Sequence, residues 1–262
     1  MLAYQHAYHA GNAADVHKHA LLSVMLARLT DKPKPLWYCE THAGRGLYAL
    51  DSAEARKTGE AAAGIERALA AGWFAPDHPY LHALQAVRAQ AGPAAYPGSP
   101  LIAATLLRPD DRMVLAELHP AEHAALSDCL AHRAEVSRSD GAALALARTP
   151  PTPRRGVMLI DPSYELRGDY AAMPRLLADL HRKWNVGVLA LWYPVLEGPE
   201  ASHRAMTAAL LAAGYPKLLH SEVRFAPARP GHRMVGSGLF VVNAPFGLAE
   251  EAARLEALFA AR

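Results

Sequence analysis

Residues 36–46 have the sequence LWYCETHAGRG, in which a short apolar run ends at Glu40 and a turn with two glycines follows. The apolar run is typical of a buried strand, and glycine lets the backbone turn tightly and approach a ligand closely. Residues 44–49 also match the dinucleotide-binding pattern G-x-G-x-x-G/A, although a plain strand-to-helix turn would satisfy that pattern equally well. This stretch therefore predicts the first strand of an α/β domain with a ligand-binding turn after it.

The same alternation of apolar runs and helical patterns continues along the chain. The predicted strands are residues 36–40, 113–117, 136–140, 157–161, 186–193 and 239–243, with a weaker seventh at 217–225. The predicted helices span residues 13–29, 120–132, 170–183, 199–213 and 248–261. This order of elements indicates an α/β fold with an open, mostly parallel sheet and helices on both of its faces.

Four of the predicted strands end in an acidic residue, namely Glu40, Glu117, Asp140 and Asp161. Ligands of open α/β sheets bind at the carboxyl ends of the strands, so we expect these four side chains to face one crevice. Each acid taken alone has an ordinary alternative, because acidic residues often cap the helix that follows a strand.

Residues 51–96 interrupt the alternation of strands and helices. They are rich in alanine, have helical patterns at 60–71 and 79–91, and contain no convincing strand. The segment ends at YPGSP, where Ser99 as N-cap and Pro100 at the first helical position would start a new helix. We predict one sheet domain formed by residues 1–50 and 97–262, with 51–96 as an inserted helical subdomain.

The composition of the 262 residues excludes several classes of protein. With 52% hydrophobic and 20% charged residues, the chain is ordinary for one large globular domain and is not disordered. No apolar run approaches the roughly 18 residues of a membrane span, and the N-terminus lacks the pattern of a secretion signal. Two cysteines cannot build a disulfide framework, so we expect a cytoplasmic protein, and nothing demands an oligomer, so we expect a monomer.

The net charge of +2 permits a nucleic-acid partner without indicating one, so any such partner has to be argued from a local site. The N-terminal block YQHAYHAGNAADVHKH carries four histidines, His6, His9, His17 and His19. No pair of them has the i, i+4 spacing of H-E-x-x-H and no cysteine completes a tetrahedral set, so we expect no metal. Asn12 is a plausible N-cap for the helix that follows.

The stretch LIDPSYE, residues 159–165, ends a strand in Asp161-Pro-Ser-Tyr164. It resembles the [DNS]-P-P-[YFW] motif of methyltransferases that act on planar amino groups. The carboxylate of Asp161 and the carbonyl of Pro162 can each accept one N–H of such an amine and aim its lone pair at a methyl donor, while Tyr164 can stack on a base taken out of its stack. A β-turn after a strand is the ordinary alternative.

The glycine turn fits the same chemistry, because an acid four residues before Gly44 gives the arrangement E/D-x-x-x-G-x-G. That arrangement resembles motif I of class I methyltransferases, which use S-adenosylmethionine. Seven segments then resemble, in order and nearly end to end, the bacterial 23S ribosomal RNA adenine-N6 methyltransferase family, ribosomal large subunit methyltransferase J. They are YQHAYHAGNAADVHKH, ETHAGRG, YPGSPLIA, LAELHP, IDPSYE, ALWYP and GSGLFVVNAPF.

This resemblance implies a Rossmann-like class I methyltransferase with a mostly parallel seven-stranded sheet, S-adenosylmethionine as donor and one adenine of 23S ribosomal RNA as acceptor. Carried over by position, it implies that the cofactor is bound by His19, His42, Ser99, Glu117, Asp140, Gly141 and Asp161. It also implies that Asp161 is the catalytic residue and that Tyr4 contacts RNA. We assign His6 and Lys18 of the same block, and Tyr164, to the RNA substrate. Ser163 stands where the general motif has its second proline, which leaves the loop less rigid.

Three alternatives stay open on the sequence. The same chemistry could act on a DNA adenine or on a glutamine side chain, since both present a planar amino group. A nucleotide-binding module without catalysis would leave residues 161–164 unexplained. An NAD-dependent oxidoreductase would need an acid at the end of a second strand about 20 residues after the glycine turn, where the helical segment stands instead.

Overall fold

The computed structural model describes residues 5–165, 167–198, 203–229 and 231–261. The strands in chain order are β1 (Trp37–Glu40), β2 (Leu47–Ala49), β3 (Ala95–Pro97), β4 (Arg112–Ala116), β5 (Glu135–Ser137), β6 (Gly156–Ile160), β7 (Val188–Leu196), β8 (Leu219–Arg224) and β9 (Met234–Val242). The helices are α1 (Ala13–Thr30), α2 (Ala53–Thr58), α3 (Arg67–Ala70), α4 (Pro79–Ala91), α5 (Ser99–Leu106), α6 (Pro120–Cys129), α7 (Gly141–Arg148), α8 (Arg167–Lys183), α9 (His203–Ala212) and α10 (Leu248–Ala260).

Seven strands form one sheet in the order β5-β4-β1-β6-β7-β9-β8. The first five of these run parallel, and β9 lies antiparallel between β7 and β8. The seven predicted strands and the mostly parallel sheet are confirmed, and the weak seventh strand is the edge strand β8. When the strands of this sheet are numbered by their order along the chain, the first five lie in the order 3-2-1-4-5, which is the order of a doubly wound, Rossmann-like fold.

The strand order also places the ligand crevice. After β1 the chain forms β4 on one side of it, and only later forms β6 on the other side. The order of the strands therefore reverses between β1 and β6, and doubly wound sheets bind ligands at the carboxyl ends of the two strands at such a point. Glu40 and Asp161 stand at these two ends.

Helices cover both faces of the sheet. On one face α1, α5 and α10 share an apolar cluster with the insertion, and on the other face α7, α8 and α9 form a second cluster. Residues 13–23 of α1 are all buried, because α1 lies between the sheet and helices α4 and α5. The Asn12 side chain accepts a hydrogen bond from the Asp15 N–H at 2.9 Å, as the sequence predicts for an N-cap.

The segment 51–96 contains one strand that the sequence did not predict. Ala95–Pro97 pairs antiparallel with Leu47–Ala49 in a separate two-stranded sheet. Ala95–Pro97 has only three residues and ends in proline, so its sequence offers no apolar alternation from which a strand could be predicted. The division of the chain at residues 51 and 96 stays a prediction, and the segment shares its apolar core with α1.

One predicted helix is interrupted and another begins at a different residue, in both cases for physical reasons. The predicted helix 60–71 is interrupted at Gly64, where a Cβ atom would lie 2.1 Å from the Gly11 carbonyl oxygen and where the backbone leaves helical geometry. The N-cap of α5 is Gly98 rather than Ser99, which is the first helical residue. The hydroxyl of Ser99 is therefore available to a different partner. Among the helices of the described ranges, none is both long and apolar enough to cross a membrane.

Candidate functional site

The acids at the ends of β1 and β4 have different partners, and only Glu117 holds the glycine turn. Glu40 is fully buried and accepts hydrogen bonds from the hydroxyls of Tyr38, at 3.0 Å, and Ser99. Glu117 accepts the N–H of Gly44 at 2.8 Å with one carboxylate oxygen and the N–H of His119 at 2.7 Å with the other. The two oxygens of Glu117 each keep a second lone pair, so this carboxylate can still accept hydroxyl groups of a ligand.

Asp140 and Gly141 bring α7 against the same turn. Asp140 is exposed and caps α7 by accepting the N–H of Ala143 at 2.8 Å, which is the ordinary role considered for the strand-end acids. Gly141 is buried, and a Cβ atom there would lie 1.9 Å from the carbonyl oxygen of Thr41. Only glycine allows α7 to come this close to the turn.

His42 lies in the turn after β1, at the carboxyl end of the sheet. Its Nδ1 atom is 2.8 Å from the Thr41 hydroxyl, and the ring is half-buried. Burial lowers the pKa of His42, while the carboxylates of Asp161, Glu117 and Asp140 act in the opposite direction. These three carboxylates follow β6, β4 and β5, whereas the fourth strand-end acid, Glu40, is fully buried and does not line an open crevice.

Asp161 is paired with Lys18 of α1, 143 positions earlier in the chain. The Lys18 ammonium lies 2.6 Å from Asp161 Oδ2 and 3.3 Å from Asp15 Oδ1. Burial alone would lower the pKa of Lys18, but the carboxylates of Asp161 and Asp15 raise it above its ordinary value, so the amine stays charged. Lys18 is only 5% exposed. Lys18 therefore lies inside the protein beside Asp161, and its assignment to the RNA substrate stays a prediction.

Asp15 is the buried centre of the N-terminal block. It accepts hydrogen bonds from the Gly11 N–H at 2.9 Å and from His6 Nε2 at 2.8 Å, and His19 Nε2 is 3.7 Å from its other oxygen. Burial by itself raises the pKa of Asp15, but His6, Lys18 and His19 together lower it well below the ordinary value. The acid holds the start of α1 against the short 3₁₀-helix of residues 6–8.

His19 and His6 therefore face the inside of the block. His19 Nδ1 lies 2.9 Å from the Tyr96 hydroxyl, and burial lowers the pKa of His19 to about 3, so its ring is neutral. The His6 ring also contacts Tyr48 edge-on, with centroids 5.2 Å apart. Tyr4 lies outside the described residues.

Tyr164 is more enclosed than the sequence suggests. Its ring is 9% exposed and lies 4.4 Å from the ring of Tyr170, and its hydroxyl donates to the Trp192 carbonyl at 2.7 Å. Its φ of +55° places it in the left-handed region directly after Pro162 and Ser163. In the parts of the chain that the structure describes, no group of three or more His, Cys, Asp or Glu side chains could hold a metal ion.

Comparison with known proteins decides the family. Residues 33–261 match the model of the family described as Ribosomal RNA large subunit methyltransferase D, RlmJ. The Ribosomal RNA large subunit methyltransferase J of Escherichia coli strain K12 is 38% identical over 258 residues, which cover 96% of this chain and 90% of the relative. The chain belongs to this family. Its Haemophilus influenzae relative of the same name is 37% identical over 256 residues, covering 95% of this chain and 89% of the relative.

A solved structure shares the fold of this RlmJ-family chain. A crystal structure of a Legionella pneumophila protein superposes with a TM-score of 0.83 at 35% identity and covers 95% of this chain and 92% of its own. The family inferred from the sequence is confirmed, and with it the class of enzyme, a methyltransferase. The oxidoreductase alternative is thereby excluded.

Sequence analysis of this RlmJ-family chain missed the ion pair between Lys18 and Asp161. The partner of a buried charge is set by the fold, and no local pattern reveals it. One signal was present, because Asp15 and Lys18 at i, i+3 lie on the same face of a helix and can pair. Charged residues are rarely buried unless they are paired, so two opposite charges at this spacing on a largely apolar helix are consistent with a buried pair.

We expect the stability of this RlmJ-family enzyme to fall between pH 6.5 and 8 because of Glu40. Burial, helped by Asp161, raises the pKa of Glu40 to about 8, although the Ser99 and Tyr38 hydroxyls and Lys18 act in the opposite direction. Between pH 4.5 and 8 the unfolded chain has released this proton and the folded chain still holds it, so stability decreases as pH rises. The lowered pKa values of His17 and His19 change stability only below pH 6.5.

The measurement is the free energy of unfolding of the parent and of Glu40→Gln at pH 6.5 and 8. Glutamine does not titrate, so the variant should lose less stability than the parent over this interval. Glu66→Gln, at an exposed position, is the matched control and should follow the parent. Parallel curves for the parent and Glu40→Gln would show that Glu40 is ionised in the folded protein throughout.

Proposed function

We propose that the chain transfers the methyl group of S-adenosylmethionine to the N6 amino group of an adenine in 23S ribosomal RNA. The observation that carries this proposal is the position of Asp161 and Pro162 at the end of β6, beside β1 at the reversal of strand order. The names of the two relatives place ribosomal RNA of the large subunit among their substrates. We also propose a cytoplasmic, monomeric enzyme with 23S ribosomal RNA as its partner.

The crevice fits the proposed cofactor. Gly44 and Gly46 both have positive φ, so the turn after β1 is tight, and Gly141 lets α7 approach this turn closely. Glu117 has free lone pairs for ribose hydroxyls, and Asp140 with Gly141 would face the adenine end. His19, His42, Ser99 and Asp161 would complete the site. When bound, the cofactor supplies an electrophilic methyl group on a sulfonium sulfur.

Asp161 and Pro162 provide two hydrogen-bond acceptors for the two N–H groups of a planar amine. The lone pair of adenine N6 is delocalised into the ring, and two acceptors for its two N–H bonds favour the pyramidal geometry in which the lone pair is available. The carboxylate also stabilises positive charge that grows on N6 during transfer. Lys18 holds one oxygen of Asp161 at 2.6 Å and so fixes the orientation of the carboxylate toward the acceptor.

Methyl transfer to different acceptors tests this proposal. Purified enzyme and isotope-labelled S-adenosylmethionine are combined with 23S RNA, duplex DNA or protein, and the product is digested and identified by mass spectrometry. We expect N6-methyladenine in 23S RNA alone. Product only in DNA, or only on glutamine, would assign the alternative acceptor, and failure to bind the cofactor would leave a methyltransferase fold without this activity.

Glu117→Ala should weaken binding of S-adenosylmethionine tenfold to a hundredfold. Loss of a hydrogen-bonded carboxylate costs on the order of 1.5–3 kcal/mol, and every 1.4 kcal/mol is about tenfold in Kd. Titration calorimetry measures the effect, with a stoichiometry of about one per chain in the parent. Because Glu117 also holds the Gly44 N–H, Glu117→Gln is the control that keeps one acceptor oxygen. Unchanged affinity in Glu117→Ala would remove this acid from the cofactor site.

Three exposed arginines near the end of the chain should set RNA affinity. Arg224, Arg229 and Arg233 flank the turn before β9, and Arg224 is paired with Glu222 at 2.7 Å. The net charge of the chain is only +2, so attraction to RNA has to be local. Replacing all three with alanine should lower the slope of log affinity against log salt by about one for each arginine that neutralises a phosphate in the parent.

The matched control removes the same charge from the opposite end of the strands. Lys32, Lys34 and Arg154 are exposed and lie before β1 and β6, at the amino ends of the strands. Their triple alanine variant should leave the salt slope near that of the parent. Equal slopes in the two triple variants would show that the Arg224 turn is no part of the RNA surface.

A further inference from the structure

Trp192 in β7 touches both residues that flank Asp161. The Lys18 ammonium lies 5.3 Å from the centroid of the indole ring, and the Tyr164 hydroxyl donates to the Trp192 carbonyl at 2.7 Å. The indole Nε1–H donates to the hydroxyl of Ser237 in β9 at 2.9 Å. The rings of Trp192 and Tyr164 also lie 6.2 Å apart, so the indole is a common neighbour of the ammonium that pairs with Asp161 and of the aromatic residue of the same loop.

From Ser237 a chain of hydrogen bonds crosses the interior to α10. Ser237 Oγ lies 2.9 Å from His17 Nδ1, and His17 Nε2 lies 3.1 Å from Ser221 Oγ. The Ser221 hydroxyl donates to Glu256 Oε1 at 2.7 Å. His17, Ser221 and Ser237 are completely buried, so no water competes for these bonds.

The direction of every bond in this chain follows from its two ends. An indole N–H can only donate and an ionised carboxylate can only accept. The Ser221 hydroxyl donates a hydrogen bond to Glu256 and accepts one from His17, so Nε2 is the protonated nitrogen of the ring. Nδ1 then accepts a hydrogen bond from the Ser237 hydroxyl, and the oxygen of that hydroxyl accepts one from the Trp192 indole. A neutral His17 satisfies this pattern, and burial lowers the pKa of His17 to about 3.

We propose that Trp192 is a positioning residue for methyl transfer, and that the relay of Ser237, His17, Ser221 and Glu256 fixes its indole. The inference rests on the proposed function. An aromatic face attracts an ammonium group, so the Lys18 charge is shared among Asp15, Asp161 and the ring. A ring that turns away changes where the ammonium lies, and with it the way in which the Asp161 carboxylate is presented to the acceptor amine.

Ser237→Ala is the least disruptive test, since it removes one buried oxygen and both of its hydrogen bonds. At saturating donor and RNA we expect the single-turnover rate to fall about tenfold, with KM for each substrate within twofold of the parent. Trp192→Phe should show a similar fall in rate. Because both substitutions act through the same ring, the double variant should be no slower than the slower single variant, whereas independent roles would multiply.

Conservative replacement of His17 separates the relay from simple packing. His17→Gln offers an amide oxygen and an amide N–H, and His17→Leu offers neither. We expect the Gln variant to retain a rate within threefold of the parent and the Leu variant to be about tenfold slower, with melting temperatures recorded for both. Parental rates in His17→Leu, or multiplicative losses in the double variant, would overturn the proposal.

A spectroscopic measurement tests the relay without any methyl transfer. The indole N–H signal of Trp192 is assigned by its disappearance in Trp192→Phe, and its exchange with solvent is compared in the parent and Ser237→Ala. We expect exchange at least tenfold faster in the variant, and equal rates would refute the relay. If the parent methylates no RNA while the indole proton is protected by Ser237, the proposed acceptor is wrong and only the relay from Trp192 to Glu256 stands.

Discussion

Asp161→Ala is expected to reduce single-turnover methylation of a 23S RNA fragment by about 10²–10³. The amine becomes positively charged as it attacks, so a fixed carboxylate stabilises the transition state more than the ground state. Removing a charge-stabilising group of this kind costs on the order of 3–4 kcal/mol. Saturating donor isolates this effect from any weakening of cofactor binding, which the same carboxylate is expected to support.

Asp161→Asn is the control, because it keeps the size and one acceptor oxygen but removes the charge. We expect it to be less impaired than Asp161→Ala, since the amide oxygen can still accept an N–H of the amine. Asp161 also neutralises Lys18 at 2.6 Å, so melting temperatures of both variants are needed beside the rates. A rate within threefold of the parent in Asp161→Ala would show that residues 161–164 are an ordinary turn.

The sheet was predictable because its central strands, such as β1 and β6, are buried on both faces. Runs such as residues 157–161 are apolar up to the final acid, and the structure places the corresponding strand at Gly156–Ile160. The acids after these runs could be located for the same reason. Their contacts could not, since an acid that caps a helix, as Asp140 does, and an acid that holds a turn, as Glu117 does, follow the same local pattern.

Features that depend on contacts between distant segments could not be predicted from the sequence. The interruption at Gly64 results from its approach to Gly11, and Ser99 turns to Glu40 because both are buried together. The burial of Lys18 depends on Asp161, which the chain reaches only after strands β1 to β6. Residue type and spacing identify which groups carry chemistry, whereas their pairing is a property of the assembled fold.

Lys18→Met should be the most destabilising of the substitutions considered, at about 3–5 kcal/mol, because it removes one partner of a buried ion pair, leaves Asp161 without its counter-ion and takes a positive charge away from Asp15. Denaturant unfolding at pH 8 measures the loss, and Lys32→Met at an exposed position is the matched control with little expected effect. Without the ammonium, less opposes the effect of burial, which raises the pKa of Asp15, so protonation of this carboxyl at acidic pH relieves the repulsion. The difference in the free energy of unfolding between parent and variant should therefore shrink from pH 8 to pH 4.

Lys18→Arg keeps the charge and should lose less stability than Lys18→Met. A loss below about 1 kcal/mol at pH 8 would show that the pair behaves as an exposed one.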